Sequence, residues 1–186
     1  MKNIVVITGA PGAGKSSIIA ELQKRGYNCL FEENRILIKE LEEMGSSALP
    51  WKDPLAFDKM LLQRQEKQYI SAPEGLSFFD RSFVDNIGYL KSLNLSVPTD
   101  FFLATDRYRF SKLVFFAEPW QEIYTVDSER KESFVEALKV SIFISQAYTD
   151  AGYELVIIPK APVPQRADFI LERLGLPKTA ASPSHI

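Results

Sequence analysis

Cysteine and histidine are almost missing from this chain: each occurs once in 186 residues, as Cys29 and His185. A lone cysteine excludes an intrachain disulfide, and a lone histidine leaves no zinc-ligand cluster. Long apolar runs are missing too. Ile4-Val5-Val6-Ile7 ends at Gly9, too short for the apolar region of a signal peptide and far too short for a membrane span. No charge of one sign dominates, the formal net charge being −2. That balance argues against a broad nucleic-acid or anionic-membrane face and still allows a local basic pocket. A cytoplasmic protein with no nucleic-acid partner and no membrane span is the expectation; its oligomeric state is unreadable. The Asn-Lys-x-Asp pattern of guanine specificity is nowhere in the sequence, which counts against an ordinary GTPase.

What is present reads as alternating strands and helices. Ile4 to Ile7 is an unbroken β-branched run, the pattern of a strand buried on both faces of a parallel sheet. A helix from about Lys15 to Arg25 follows, with Ile18, Ile19 and Leu22 on its apolar face and Gly26 as its C-terminal cap. Tyr27 to Phe31 is a second strand, in which Cys29 is read as a small core hydrophobe. The next helix runs through Ile36, Leu37 and Leu41. Asp53 caps another, which has Pro54 at its first position, turns Phe57, Met60 and Leu61 inward, and ends near Ser71.

Leu76 to Phe79 is a short strand ending on Asp80. Helices are expected around Asn86 to Leu93 and Thr99 to Tyr108, and a strand from Leu113 to Ala117. Phe134, Leu138 and Ile142, at i, i+4 and i+8, mark a helix that stops at Ala151-Gly152. Leu155 to Ile158 is a fifth strand and Gln165 to Leu174 a last helix. The fold class is therefore α/β, with a mainly parallel sheet of about five strands flanked by helices. Residues 1–176 are expected to form one domain with a lid segment near 119–131, and residues 177–186 a loose tail.

Gly9-Ala10-Pro11-Gly12-Ala13-Gly14-Lys15-Ser16 fits the whole GxxxxGK[ST] pattern, and it lies between a buried strand and a helix, where the mechanism needs it. Its glycines let successive backbone N–H groups face one anion, and the helix N-terminus adds its dipole. Lys15 should reach the β- and γ-phosphates and Ser16 should place its hydroxyl on Mg²⁺, with Ser17 next to it in the same site. The expected ligands are ATP, with GTP as the alternative base, and Mg²⁺.

Asp80 ends a strand that should lie beside the P-loop strand. A carboxylate there can order the magnesium shell or take a proton from an attacking hydroxyl; the plainer readings are a helix cap or an ion-pair partner for Arg81. In AAA+ motors a glutamate that activates water usually follows this aspartate. Asp80-Arg81-Ser82 instead resembles the Asp/Glu-Arg-Ser/Tyr motifs of small-molecule and nucleoside kinases, whose arginine holds an anionic or hydroxylated substrate.

Asp127-Ser128-Glu129-Arg130-Lys131 follows the fourth strand, where P-loop kinases have a lid. Arg130, with Lys131 in reserve, would stabilise charge on the transferring phosphoryl group; the competing reading is a solvated helix start. Arg107 and Arg109 read as surface residues. Glu32 and Arg35 leave the second strand and either bind a polar substrate or cap the next helix. Trp51, Trp120 and Tyr124 read first as core or lid anchors, and second as stacking platforms for a ring.

Taken together, these blocks resemble the AAA-domain P-loop family that includes the ribosylnicotinamide-kinase-like domains of bacterial NAD biosynthesis and many bacterial ATPases. The resemblance runs from Ile7-Thr8-Gly9 through Glu32-x-x-Arg35, Pro50-Trp51-x-Asp53 and Phe78-Phe79-Asp80-Arg81. It continues over Gly88-Tyr89-Leu90 and Pro119-Trp120 to Glu129-Arg130, then Gly152-Tyr153-Glu154-Leu155 and Arg166, nearly the whole chain. It implies a kinase-like fold, ATP and Mg²⁺ binding, and roles for Lys15, Ser16, Asp80, Arg81 and Arg130. Some relatives are animal proteins that bind GTP and phosphoinositide.

The leading expectation is a phosphotransferase acting on a hydroxyl of a small polar acceptor. Arg81, with Glu32 and Arg35, would meet that acceptor. A nucleotide-dependent switch, or a slow ATPase or GTPase acting through a protein or lipid partner, is the alternative. A mechanical AAA+ motor is expected least, since the length leaves no room for its helical C-terminal subdomain.

Overall fold

A computed structural model of the chain describes residues 1–124 and 133–180. Five parallel strands form one sheet in the order β2-β3-β1-β4-β5. These are β1 (Lys2–Gly9), β2 (Asn28–Leu30), β3 (Gly75–Asp80), β4 (Leu113–Ala117) and β5 (Glu154–Ile157). Seven helices connect and cover them: α1 (Lys15–Lys24), α2 (Asn34–Glu43), α3 (Pro54–Ser71), α4 (Phe83–Ser92), α5 (Thr99–Arg107), α6 (Phe134–Asp150) and α7 (Val163–Arg173). The strand order reverses direction around β1, so the loop after β1 opens at the topological switch point where α/β sheets bind ligands.

Strand alternation divides the core into two faces. Val5 and Ile7 of β1 pack with Ile18, Ile19 and Leu22 of α1 and Ile170 and Leu171 of α7. Ile4 and Val6 point the other way, into Phe83, Ile87 and Leu90 of α4 and Ile144 and Tyr148 of α6. A third cluster, Leu37, Ile38, Leu41, Leu49, Phe57 and Leu61, joins α2 to α3 beyond the edge of the sheet.

Several local expectations change. Met60 is 37% exposed, while its neighbours Phe57 and Leu61 are buried as expected. The stripe on α6 is the wrong one: Leu138 and Ile142 are 42% and 68% exposed. The face that packs inward is Ala137, Val140, Ser141, Ile144, Ala147 and Tyr148. Close approach explains the choice of small residues on that face. A Cβ placed on Gly88 of α4 would lie 2.6 Å from the Cα of Ile144, so the two helices touch at the backbone.

Helix α4 starts three residues before Asn86, because Ser82 and Asp85 form a capping box. The second strand shrinks to three residues at the sheet edge, leaving Cys29 half-buried against the α1 side of the core, with burial pushing its thiol up to about 12. The tail expected to be loose is tied down as far as Ala180. Tyr27 bonds the Pro177 carbonyl, Lys178 pairs with Asp168 at 2.7 Å, and the Ala180 N–H reaches the Arg25 carbonyl at 2.9 Å.

Candidate active site

The loop from Gly9 to Gly14 turns between β1 and α1. Gly9, at φ +127°, cannot be replaced: an added Cβ would meet the Ala117 carbonyl oxygen at 2.1 Å. Gly14, in the left-handed region, is the N-cap of α1 and offers no capping side chain, so the first-turn N–H groups face the cleft as an anion site. Lys15 is buried, and its Nζ donates to the Ala10 carbonyl at 2.7 Å. Burial, then the Arg81 charge, bring its ammonium down to about 8 against the pull of Asp80, Glu32 and Asp85.

Parallel pairing sets Asp80, the last residue of β3, opposite Ile7 of the loop strand. Its Oδ2 accepts from the Ser16 hydroxyl at 2.7 Å, while its buried Oδ1 has no partner among the described residues. Burial, then the Glu32 charge, push this carboxyl up to about 6. A paired hydroxyl and carboxylate with one oxygen left over fit a hard cation such as Mg²⁺, whose remaining ligands would be phosphate and water oxygens. Among the described residues no group of three or more His, Cys, Asp or Glu forms a closed metal cage.

Arg81 turns through a left-handed backbone, φ 68°, and its N–H bonds the Ile7 carbonyl at 3.0 Å. Its guanidinium lies between two carboxylates, with Nε 2.7 Å from Glu32 and Nη1 3.0 Å from Asp85, and it also donates to the Gly9 carbonyl at 3.2 Å. Burial opposes charge on Glu32, yet Arg81, Lys15 and Arg35 hold its carboxyl below the usual range. The helix-capping alternative for Glu32 gives way to this ion pair, because α2 begins with no side-chain cap. Asp80 does not cap α4 either; Ser82 does.

Asp85 is the residue that sequence reasoning missed here. It accepts from the Thr8 hydroxyl, Arg81, the Ser82 N–H at 3.0 Å and the Tyr148 hydroxyl at 2.6 Å. Its only signal was the Ser82-x-x-Asp85 spacing of a capping box.

One cleft of about 1060 Å³ brings these parts together. Gly12, Lys15, Ser16 and Ser17 line it beside Glu32, Arg35 and Arg81. One end continues past Trp51, Phe57, Asp58, Asn86 and Tyr89. At that end Asp58 is 2% exposed, its Oδ2 has no partner among the described residues, and burial raises its carboxyl well above the usual range. Asn86 nearby donates to Gln65 at 3.0 Å. The other end holds Trp120, Pro162 and Arg166. Tyr124 stands apart, stacked edge-on against Phe134 with ring centroids 5.3 Å apart.

Arg109 is an anchor that donates to the Thr105 and Ala151 carbonyls, while Arg107 lies over the Tyr108 ring. The lid candidates Arg130 and Lys131 fall outside the described residues. Among the described residues no helix is long and apolar enough to cross a membrane.

Comparison with known proteins agrees with this geometry. The family model for the AAA domain matches residues 4–166. No curated protein is similar enough to count as a match. Among solved structures, the chain is similar to the deoxyadenosine kinase of M. mycoides, at 19% identity and a TM-score of 0.67, over 94% of this chain and 98% of that one. NadR in complex with NR is similar at 17% identity and a TM-score of 0.67, over 99% of this chain and 54% of NadR. The thymidylate kinase of Ehrlichia chaffeensis is similar at 12% identity and a TM-score of 0.61, over 93% of this chain and 98% of that one. The chain thus belongs to the AAA-domain family and has the P-loop fold shared with nucleoside and nucleotide kinases.

Proposed function

We propose that the protein is an ATP-dependent phosphotransferase that moves the γ-phosphoryl group to a hydroxyl of a small polar acceptor. The observation behind this reading is the shape of the cleft. Its lining is not confined to the phosphate loop but includes Trp51, Phe57, Asp58, Asn86 and Tyr89, room that a transferase needs for its acceptor and a simple hydrolase does not. In this reading the N–H groups around Gly12 to Ser17 cradle the phosphates and Lys15 follows the β- and γ-phosphate charge. Ser16 and Asp80 would hold Mg²⁺, which supplies charge neutralisation and alignment of the phosphates. Arg130 is assigned to close over the site.

Two carboxylates compete for the acceptor hydroxyl. Asp80 is bonded to Ser16 beneath the loop, while Glu32 lines the cleft itself. Glu32 therefore orients the hydroxyl. As the acceptor oxygen bonds to the γ-phosphorus, the bond from that phosphorus to the β–γ bridging oxygen breaks. ADP leaves and the hydroxyl proton passes to Glu32. Arg81, held between Glu32 and Asp85, keeps that carboxylate in place and presents its edge to the acceptor.

A screen of nucleosides, sugars and amino alcohols for acceptor-stimulated ADP release from MgATP tests the assignment. Nucleosides come first, since proteins of this fold include deoxyadenosine kinase. At least one acceptor should raise ADP release well above the rate with water. Steady hydrolysis that no acceptor accelerates would overturn the transferase reading.

A further inference from the structure

Arg81 and Arg166 are largely enclosed along the cleft, and among the described residues only Arg81 of the two has a counter-charge. Arg81 is paired with Glu32 and Asp85. Arg166, delivered by α7, is 3% exposed and pairs with no carboxylate among the described residues. Its Nη2 donates to the Ala13 carbonyl at 2.9 Å, its Nε has no partner among the described residues, and its guanidinium carbon lies 5.9 Å from the centre of the Trp120 ring. Nη1 is close enough to the phosphate loop that a Cβ on Gly14 would approach it to 2.8 Å. A carbonyl and an aromatic face are weak compensation for a buried full charge. Guanidinium, unlike ammonium, cannot escape by losing its proton. The side chain lines the nucleotide end of the cleft, within reach of the helix N-terminus that receives an anion.

We propose that Arg166 is a phosphate-binding residue of the nucleotide site, its counter-charge supplied by the bound polyphosphate. The inference rests on the nucleotide-binding part of the reading above and on no particular acceptor. Binding then draws α7 against the phosphate loop through one side chain. Because α7 is joined to α1 by the Arg25–Asp168 pair at 2.5 Å, loop and helix pair tighten together.

The test uses the full chain and two probes, MgATP and magnesium tripolyphosphate, with affinities from calorimetry. Arg166→Gln keeps a donor for the Ala13 carbonyl and removes the charge. Both probes should lose affinity by roughly 10- to 100-fold, the weight of a charge-assisted bond. The ligand-free variant should melt no lower than the parent, because an uncompensated buried charge has gone. If Arg166→Gln does not fold, Arg166→Lys, with charge kept but fork geometry lost, should show a smaller loss for both probes. Unchanged affinity overturns the proposal. So does a loss confined to MgATP, which would make Arg166 a base contact, or a fall in ligand-free melting temperature that parallels the affinity. Lys15→Ala separates the two levels. If it binds MgATP like the parent, the nucleotide reading itself fails; if it does not and Arg166→Gln does, only this inference fails.

Discussion

The two ends of the cleft are built on opposite plans. At the phosphate end the ionised groups constrain one another: Asp80 meets Ser16, Glu32 meets Arg81, Arg81 meets Asp85, and Lys15 is turned onto the loop. At the end proposed for the acceptor, Asp58 is buried and one of its oxygens has no partner among the described residues. The first plan suits a ligand part that never varies, a magnesium polyphosphate. The second leaves one polar group uncommitted, so the ligand's own chemistry completes it. In the proposed reading, organisation at one end and incompleteness at the other would separate catalysis from selectivity within a single cavity.

That contrast can be broken most sharply from the catalytic side. Lys15→Ala and Asp80→Ala should each reduce acceptor-dependent ADP formation by more than about a hundredfold. Full turnover in Asp80→Ala would remove it from the machinery. Asp85→Asn comes next, because it takes one of two counter-charges from Arg81 and leaves Glu32 in place. We expect kcat to fall by roughly tenfold with little change in MgATP affinity, read from initial rates and calorimetry on the same preparation.

Smaller effects sharpen the comparison. ATP affinity measured in EDTA should decline as pH rises through about 8, where Lys15 loses its charge. A decline starting only near the ordinary lysine range would show that burial and Arg81 do not weaken Lys15. At the other end the sign for stability is opposite to that of a paired carboxylate. A folded-state pKa raised above the unfolded value gives Asp58 a favourable contribution at low pH that is lost as pH rises toward the raised value. Asp58→Asn should therefore raise the neutral-pH melting temperature by roughly 2–4 °C. It should leave MgATP affinity unchanged and alter the ranking of acceptors; an unchanged ranking would place Asp58 outside selectivity.

The same division governs what the chain reveals before it folds. The loop from Gly9 to Ser16 is contiguous, and its residue types are dictated by backbone geometry, so it could be read directly. Asp80 and Arg81 were legible because a buried strand must deliver its last residues to the switch point. The end proposed for the acceptor draws on α2, α3 and α4, and nothing in the local spacing around Asp58 or Asn86 marks a wall residue. Arg166 lies 153 residues from the Ala13 carbonyl it bonds, a pairing that only the sheet order creates. The stripe Phe134, Leu138 and Ile142 misled for a related reason. Periodicity registers large apolar side chains, whereas the face that packs inward mixes Ala137, Ser141 and Ala147 with Val140, Ile144 and Tyr148.

That close approach at Gly88 sets a mechanical datum for the cavity. With no room for a methyl group between α4 and the Ile144 backbone, and Tyr148 of α6 bonded to Asp85 of α4, the two helices pack as one beam. Asn86 and Tyr89 belong to that beam and line the cleft. The cavity is also lined by the α2–α3 pair, held by its own separate apolar cluster. In the proposed reading, acceptors of different size would be accommodated by displacement on that side, while the reaction centre keeps its gauge.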